Sequence, residues 1–200
     1  MEKSNIHEKI KLLTGSGMWH TQEVEGLPSV HLSDGPHGLR KQEEKERQNN
    51  VSLVSTCYPT ASALACSWDV TAAERLGRAV AKEAWNADVA VLLGPGINMK
   101  RSPLCGRNFE YFSEDPFLAG RLGAAYVSAA QGENVAVSLK HFAANNQETN
   151  RQTANSQIDE RALREIYLSA FEYVVKTARP ATVMASYNRL NGYYACENRH

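Results

Sequence analysis

Four polar clusters in this 200-residue sequence each follow directly on a short apolar run, and they hold most of the side chains able to do chemistry. Ser33-Asp34-Gly35-Pro36 follows Val30-His31-Leu32, and Gly94-Pro95-Gly96 follows the run from Val89 to Leu93. Lys140-His141-Phe142 follows Val135 to Leu139, and Ser186-Tyr187-Asn188 follows Thr182 to Ala185. In parallel α/β folds ligands bind at the C-terminal ends of strands, so this repeated spacing would bring several clusters to one rim. The chemistry on offer is hydrophilic rather than metallic. Aspartate can accept two hydrogen bonds from neighbouring hydroxyls, while arginine and lysine donate, a set suited to a ligand covered in hydroxyl groups. Trp68, Phe109, Tyr111 and Phe112 offer apolar ring faces for such a ligand. A phosphate ligand is the competing reading of Gly94-Pro95-Gly96. Pro95 removes one amide donor there, and neither G-x-x-x-x-G-K nor G-x-G-x-x-G follows, so nucleotide binding is disfavoured.

The elements that must position these clusters are read from periodicity. The four runs above, together with Ala63-Leu64-Ala65-Cys66, are short and bounded by turn residues, as buried strands are. Three helices are expected between them. One covers roughly 70–86, with Val70, Ala73, Leu76, Val80 and Ala84 on one stripe and Thr71 and Glu74 at capping-box spacing. A second opens at Asp115-Pro116, an N-cap followed by proline in the first turn, and runs to about Gln131. A third follows Asp159, carries Leu163, Ile166, Ala170 and Val174, and is limited by Pro180. Strand–helix alternation implies an α/β fold with a parallel sheet and helices outside it. The five strands read here suit an open α/β sheet or the first part, about five βα units, of a TIM-type (β/α)8 barrel. The charged stretch 41–50 is expected as a solvated loop. No internal repeat or domain linker is visible, and Glu197-Asn198-Arg199-His200 carries no turn or cap, as in a barrel cut after its fifth strand.

Composition narrows the function classes. An apolar content of 42% fits a globular chain rather than a disordered one. Lys plus Arg equals Asp plus Glu at 22 each, which gives no electrostatic case for nucleic acid or an anionic membrane. No apolar run approaches the roughly eighteen residues that a membrane-spanning helix needs. The start, Met-Glu-Lys-Ser-Asn, has no apolar signal region, so a cytoplasmic location is expected. Cys57, Cys66, Cys105 and Cys196 form no C-x-x-C pair or zinc pattern, and without an export signal they are expected to be reduced.

Five motifs then carry a resemblance. Leu32-Ser33-Asp34-Gly35-Pro36-His37-Gly38-Leu39-Arg40 resembles the first sugar-binding loop of glycoside hydrolase family 3, and Cys57-Tyr58-Pro59-Thr60-Ala61 resembles its next turn. The long segment from Gly106-Arg107-Asn108-Phe109-Glu110 to Asp115-Pro116 is similar to a third family motif, and Lys140 to Glu148 to a fourth. Met184-Ala185-Ser186-Tyr187-Asn188, with Asn191-Gly192, completes the series in the family's order, covering almost the whole chain. The resemblance implies an incomplete N-terminal barrel domain spanning residues 1–200, with no second domain. It also implies a retaining hydrolase of terminal non-reducing β-D-glycosides. By this resemblance Asp34 accepts hydrogen bonds from the sugar, Arg107, Lys140 and His141 donate to it, and Tyr187 orients the catalytic carboxylate. Arg40 is a weaker candidate, and Glu110, Glu148 and Arg151 are supporting residues. Each has a structural alternative. Asp34 could only stabilise its turn, and Arg107 could only pair with Glu110 or Glu114. Lys140 could snorkel to solvent, and His141 could be a satisfied core histidine. Tyr187 could be a packed aromatic with its hydroxyl capped.

The catalytic carboxyls are what the resemblance leaves out. Retaining glycosidases need two, roughly 5–5.5 Å apart. In this family the nucleophile is an aspartate in a Ser-Asp-Trp motif, which does not occur in this sequence. The acid/base of the β-glucosidase branch comes from a later domain. Lys140-His141-Phe142-Ala143-Ala144-Asn145-Asn146 also lacks the second histidine of the β-N-acetylglucosaminidase loop, which favours a β-glucosidase or β-xylosidase. No cofactor or metal is implied, because the reaction uses carboxylates and water. The expected role is part of the glycone subsite without turnover; the alternative is a truncated, non-catalytic sugar-binding or remnant protein. A partial barrel is also expected to expose two unpaired strand edges.

Overall fold

The computed structural model describes residues 6–42 and 51–199, so most of the charged 41–50 stretch lies outside the described residues. In chain order the elements begin α1 (Ile6–Lys11), β1 (Leu32–Asp34), α2 (Ala61–Ala65), α3 (Val70–Asn86), β2 (Val91–Leu93), α4 (Pro116–Gln131) and β3 (Ala136–Phe142). They continue with β4 (Asn155–Ser156), α5 (Glu160–Ala162), α6 (Ser169–Ala178), β5 (Thr182–Ala185), β6 (Arg189–Leu190) and β7 (Tyr193–Tyr194).

Strands β1, β2, β3 and β5 form one parallel sheet in that order, with Leu32 opposite Val91, Val91 opposite Ala136 and Ser138 opposite Thr182. β1, β2 and β3 are each followed by helix before the next strand of this sheet, and the strand order never reverses. That is the singly wound order of a (β/α)8 barrel, not a doubly wound sheet with a switch point. Helix α4 packs between α3 and α6. Leu76, Val80 and Ala84 of α3, Leu122 and Val127 of α4, and Phe171 and Val174 of α6 meet Leu92, Val137 and Leu139 of the sheet in one core. Strands β4, β6 and β7 make a separate small sheet beyond the end of β3.

Local chemistry explains most boundaries. The Asp115 carboxylate accepts from the Phe117 and Leu118 amides with Pro116 in the first turn, and α4 ends at Gln131 as the sequence predicts. Helix α3 is capped by Asp69, whose carboxylate accepts from the Thr71 amide at 2.8 Å; the expected Thr71–Glu74 box is displaced by this closer cap. The run at Ala63–Cys66 is not a strand. Thr60 accepts from the Ala63 amide, and Ala61, Leu64 and Ala65 are buried at helical spacing in α2. Four alanine-rich residues show no periodicity, and alanine favours helix. The third helix is interrupted by a π-helical turn at Leu163–Tyr167, and it ends with Arg179 in the left-handed region (φ 49°) just before Pro180.

The two sheet edges differ. The Leu32 amide donates to Trp19 O at 2.7 Å and His31 bridges His20, so residues 19–20 cover the outer edge of β1. The expectation of two bare edges is corrected there, because a loop before β1 folds back alongside it. β5 borders no further strand among the described residues, and Val183 is 46% exposed.

Helices α3 and α4 approach closely at Gly77, where an added Cβ would lie 2.5 Å from Tyr126 O. That neighbour is backbone and cannot rotate away. Gly77→Val is therefore expected to lower stability by on the order of 1–3 kcal/mol, as overpacked cores do. A urea melt of the two chains checks this, and an unchanged midpoint would show that α3 and α4 can separate without cost.

Candidate functional site

The strand ends place the charged residues. Asp34 is the last residue of β1, and its carbonyl accepts from the Arg40 amide at 2.9 Å. The turn between them needs glycine at position 35, where φ is +116° and a Cβ would sit 1.9 Å from Gly38 O. Gly94-Pro95-Gly96 does not cradle an anion. Its backbone is spliced onto β3, with the Lys140 amide donating to Pro95 O (3.1 Å) and the Ile97 amide donating to Lys140 O (2.9 Å). Gly96 also lets Tyr111 approach, since a Cβ there would meet the Tyr111 ring at 2.8 Å. Lys140 and His141 lie near the end of β3, where the register with β5 shifts between Lys140 and Phe142. Arg107 precedes a 3-10 turn at Asn108–Glu110, which puts Arg107 and Glu110 on the same side.

These elements converge on one ion-pair cluster. The Lys140 side chain is 2% exposed, with Nζ 3.1 Å from Glu110 Oε2 and 3.6 Å from Asp34 Oδ1. Arg107 Nε donates to Glu110 Oε1 at 2.5 Å. Glu110 is almost fully buried between the two cations, whereas the Asp34 side chain is 40% exposed. Above the cluster opens a cleft of about 260 Å³ lined by Asp34, His37, Arg40, Arg107, Phe109 and Arg151, among others. Burial works against the Arg107 charge, but Glu110 beside it more than compensates and holds the guanidinium above its ordinary value. His37 stands edge-on to Phe109, with ring centroids 5.6 Å apart. Burial pushes His37 below its ordinary pKa, against the pull of Glu110, so it is neutral at pH 7.

His141 does not line this cleft. Its ring is buried, and Nδ1 lies 2.9 Å from the Tyr111 hydroxyl. Burial first, then the charges of Arg107, Lys140 and Arg151, drive its pKa down to about 2. Tyr187 also stands outside the cleft. It is 50% exposed, with the Arg151 guanidinium 4.8 Å from its ring centroid, and Arg151 joins it to the cleft wall.

Several structural alternatives are thereby decided. Lys140 does not snorkel to water, and Tyr187 is not a packed aromatic. Arg107 does pair with Glu110, yet it also lines the cleft. Of the four rings offered for stacking, Tyr111 and Phe112 are buried and Trp68 sits 75% exposed between α2 and α3; Phe109 alone faces the cleft. The expectation of several ring platforms is corrected accordingly. Glu110, expected only as a supporting residue, stands at the centre of the site, and His37, to which the sequence attaches no role, lines the cleft; the three-residue spacing of Arg107 and Glu110 is the one local signal for the former. Among the described residues no His, Cys, Asp and Glu group could hold a metal ion, and the four cysteines form no disulfide.

Comparison with known proteins agrees with this arrangement. The sequence profile of the glycosyl hydrolase family 3 N-terminal domain matches residues 36–200. The chain is 52% identical to thermostable beta-glucosidase B of Acetivibrio thermocellus over its whole length, but spans only 27% of that protein. It is 49% identical to an exo-alpha-(1->6)-L-arabinopyranosidase of Bifidobacterium longum, covering 96% of this chain and 26% of that one. Its fold superposes on a beta-glucosidase of Bifidobacterium adolescentis with a TM-score of 0.91 at 49% identity, over 98% of this chain and 28% of that one. The beta-glucosidase 3B of Thermotoga neapolitana, solved in complex with glucose, gives a TM-score of 0.89 at 40% identity, over 96% and 29% of the two chains. The chain thus corresponds to roughly the N-terminal quarter of these relatives, and it belongs to glycosyl hydrolase family 3.

Proposed function

We propose that the cleft above Lys140 is part of the glycone-binding subsite of a retaining β-glucosidase, and that residues 1–200 are the first part of its barrel domain. The observation that carries this reading is the buried Lys140–Glu110–Arg107 cluster beneath a half-exposed Asp34 carboxylate. Counted with Asp34, the cluster has two cations and two carboxylates, so it does not call for an ionic ligand. It leaves one carboxylate face and spare guanidinium donors turned towards the cleft, which matches a neutral ligand rich in hydroxyls. In this reading Asp34 accepts from vicinal sugar hydroxyls. Arg107 and Lys140 donate to them and Arg40 stands at the margin, while His141, expected from the sequence as a further donor, is buried outside the cleft and makes no direct contact. Tyr187, held beside Arg151, meets the catalytic carboxylate. Such bonds matter for rate where they strengthen as the sugar takes on oxocarbenium character, and hydrogen bonds to ring hydroxyls do this in glycosidases.

A second reading concerns the sugar. A pyranose without the exocyclic hydroxymethyl group, such as β-xylose or α-L-arabinopyranose, is favoured by the 49% identity to an arabinopyranosidase. Parallel titration with methyl β-D-glucoside and methyl α-L-arabinopyranoside separates the two.

Three outcomes test the proposal. Asp34→Ala should weaken methyl β-D-glucoside binding about 10–100-fold, the equivalent of losing a hydrogen bond to a charged group; calorimetry showing equal affinity would remove Asp34 from the site. The 200-residue chain should release no p-nitrophenol from p-nitrophenyl β-D-glucoside above background, since it has no Ser-Asp-Trp nucleophile. Steady turnover by the pure chain would overturn that assignment. The third outcome concerns pH. His141 is depressed to about 2 from 6.5, so below pH 6.5 the unfolded chain takes up a proton that the folded one does not. Its contribution to stability is complete above pH 6.5 and is lost as pH falls, by up to roughly 1.4 kcal/mol per unit. Thermal melts at pH 7 and pH 5 should show a drop that His141→Gln reduces, and identical drops in both chains would contradict the burial of a neutral ring.

A further inference from the structure

We propose that Glu148 is a positioning residue for His141: acting through Asn145 and Tyr111, it dictates which ring nitrogen of the histidine carries the proton. The ring lies outside the proposed glycone cleft, so the proton order does not depend on sugar binding there.

The order follows from which groups can donate. Asn145 reaches Glu148 Oε1 at 2.9 Å. A carboxylate only accepts, so the atom facing it has to be the amide nitrogen, which fixes the orientation of the Asn145 side chain. The same Nδ2 lies 2.9 Å from the Tyr111 hydroxyl, and its second hydrogen goes there. The Tyr111 hydroxyl has one hydrogen of its own, and burial keeps the phenol protonated. Among the described residues its only other partner is His141 Nδ1, 2.9 Å away, so that hydrogen goes to Nδ1. A neutral imidazole that accepts at Nδ1 carries its hydrogen on Nε2. His141 is therefore a donor at Nε2 and an acceptor at Nδ1.

Two further observations place the control at Glu148 rather than at Asn145. Asn145 Oδ1 is buried without a partner, so the amide does not adopt this orientation to satisfy its own carbonyl. Turning it over would set Oδ1 against the Glu148 carboxylate, acceptor to acceptor. Glu148 is in turn held by Arg151, whose guanidinium donates to Oε2 at 3.0 Å. The histidine backbone is fixed independently. The His141 amide donates to Asn98 Oδ1 at 2.8 Å, and Asn98 Nδ2 donates to His141 O at 2.9 Å. The relay thus sets proton order on a ring whose place is already determined.

The test is the ring-nitrogen signature of His141 in long-range ¹H–¹⁵N spectra of the ligand-free ¹⁵N-labelled chain at pH 7, assigned with His141→Gln. The expected result is a neutral ring with Nε2 protonated and Nδ1 unprotonated. In Glu148→Gln the new side chain can donate to Asn145 Oδ1, which permits the reversed order, so the Nδ1–H form should gain population. Glu148→Ala should shift it in the same direction. A dominant Nδ1–H form in the unmutated chain would overturn the proposal without any variant. An unchanged Nε2–H form in both folded variants would show that the order is set elsewhere. No sugar is present in these spectra, so a chain that fails to bind glucoside would count against the site reading and leave this readout intact.

Discussion

A lysine ammonium removed from water constrains everything around it. Lys140 is 2% exposed, and an uncompensated charge at such depth is costly enough that the surroundings must neutralise it. Glu110 does so at 3.1 Å, with Asp34 at 3.6 Å as a second carboxylate. Glu110 is itself buried and is shared with Arg107. Removing one partner of such a pair typically costs about 3–5 kcal/mol, because a lone charge is left behind. The three side chains therefore stand or fall together, and their mutual geometry is fixed before any ligand arrives. Preorganisation of this kind is what a polar binding site requires, because the ligand then does not have to meet the cost of ordering the groups that grip it.

The scaffold can be read as the means of bringing these charges to one place. Asp34 comes from the end of β1, Glu110 from the turn before α4 and Lys140 from the end of β3. Parallel strands in sequential order bring these ends to the same rim, while the helices pack on the opposite face and leave the rim to polar side chains. Small residues set the closeness. Gly35 makes the turn after Asp34, Gly96 admits Tyr111 beside β3, and Gly77 lets α3 lie against α4. A second polar layer, from Tyr111 through Asn145 and Glu148 to Arg151, continues from His141 to the Tyr187 side.

Much of this was legible in the sequence where the determinants are local. Asp115-Pro116 marks the start of α4 because a cap and a proline act on the next three residues. Thr182–Ala185 reads as a strand because it is a short apolar run held between Pro180 and Ser186. The run at Ala63–Cys66 misled, because four small apolar residues fit either state and the deciding contacts come from the core. The candidate site divides in the same way. Asp34, Arg107 and Lys140 follow from motif and strand-end position. The sharing of Glu110 between Arg107 and Lys140, the burial of His141 away from the cleft and the joining of Tyr187 to it through Arg151 depend on residues distant in sequence. Spacing along the chain carries no signal for those.

The most direct measurement is a crystal structure of the chain soaked with glucose. The expected result is a pyranose ring in the cleft, with hydroxyls within hydrogen-bond distance of Asp34, Lys140 and Arg107 and the Lys140–Glu110 pair undisturbed. Glucose bound elsewhere with this cleft empty, or bound only after Lys140 has left Glu110, would contradict the central claim that a prebuilt ion-pair cluster holds the sugar.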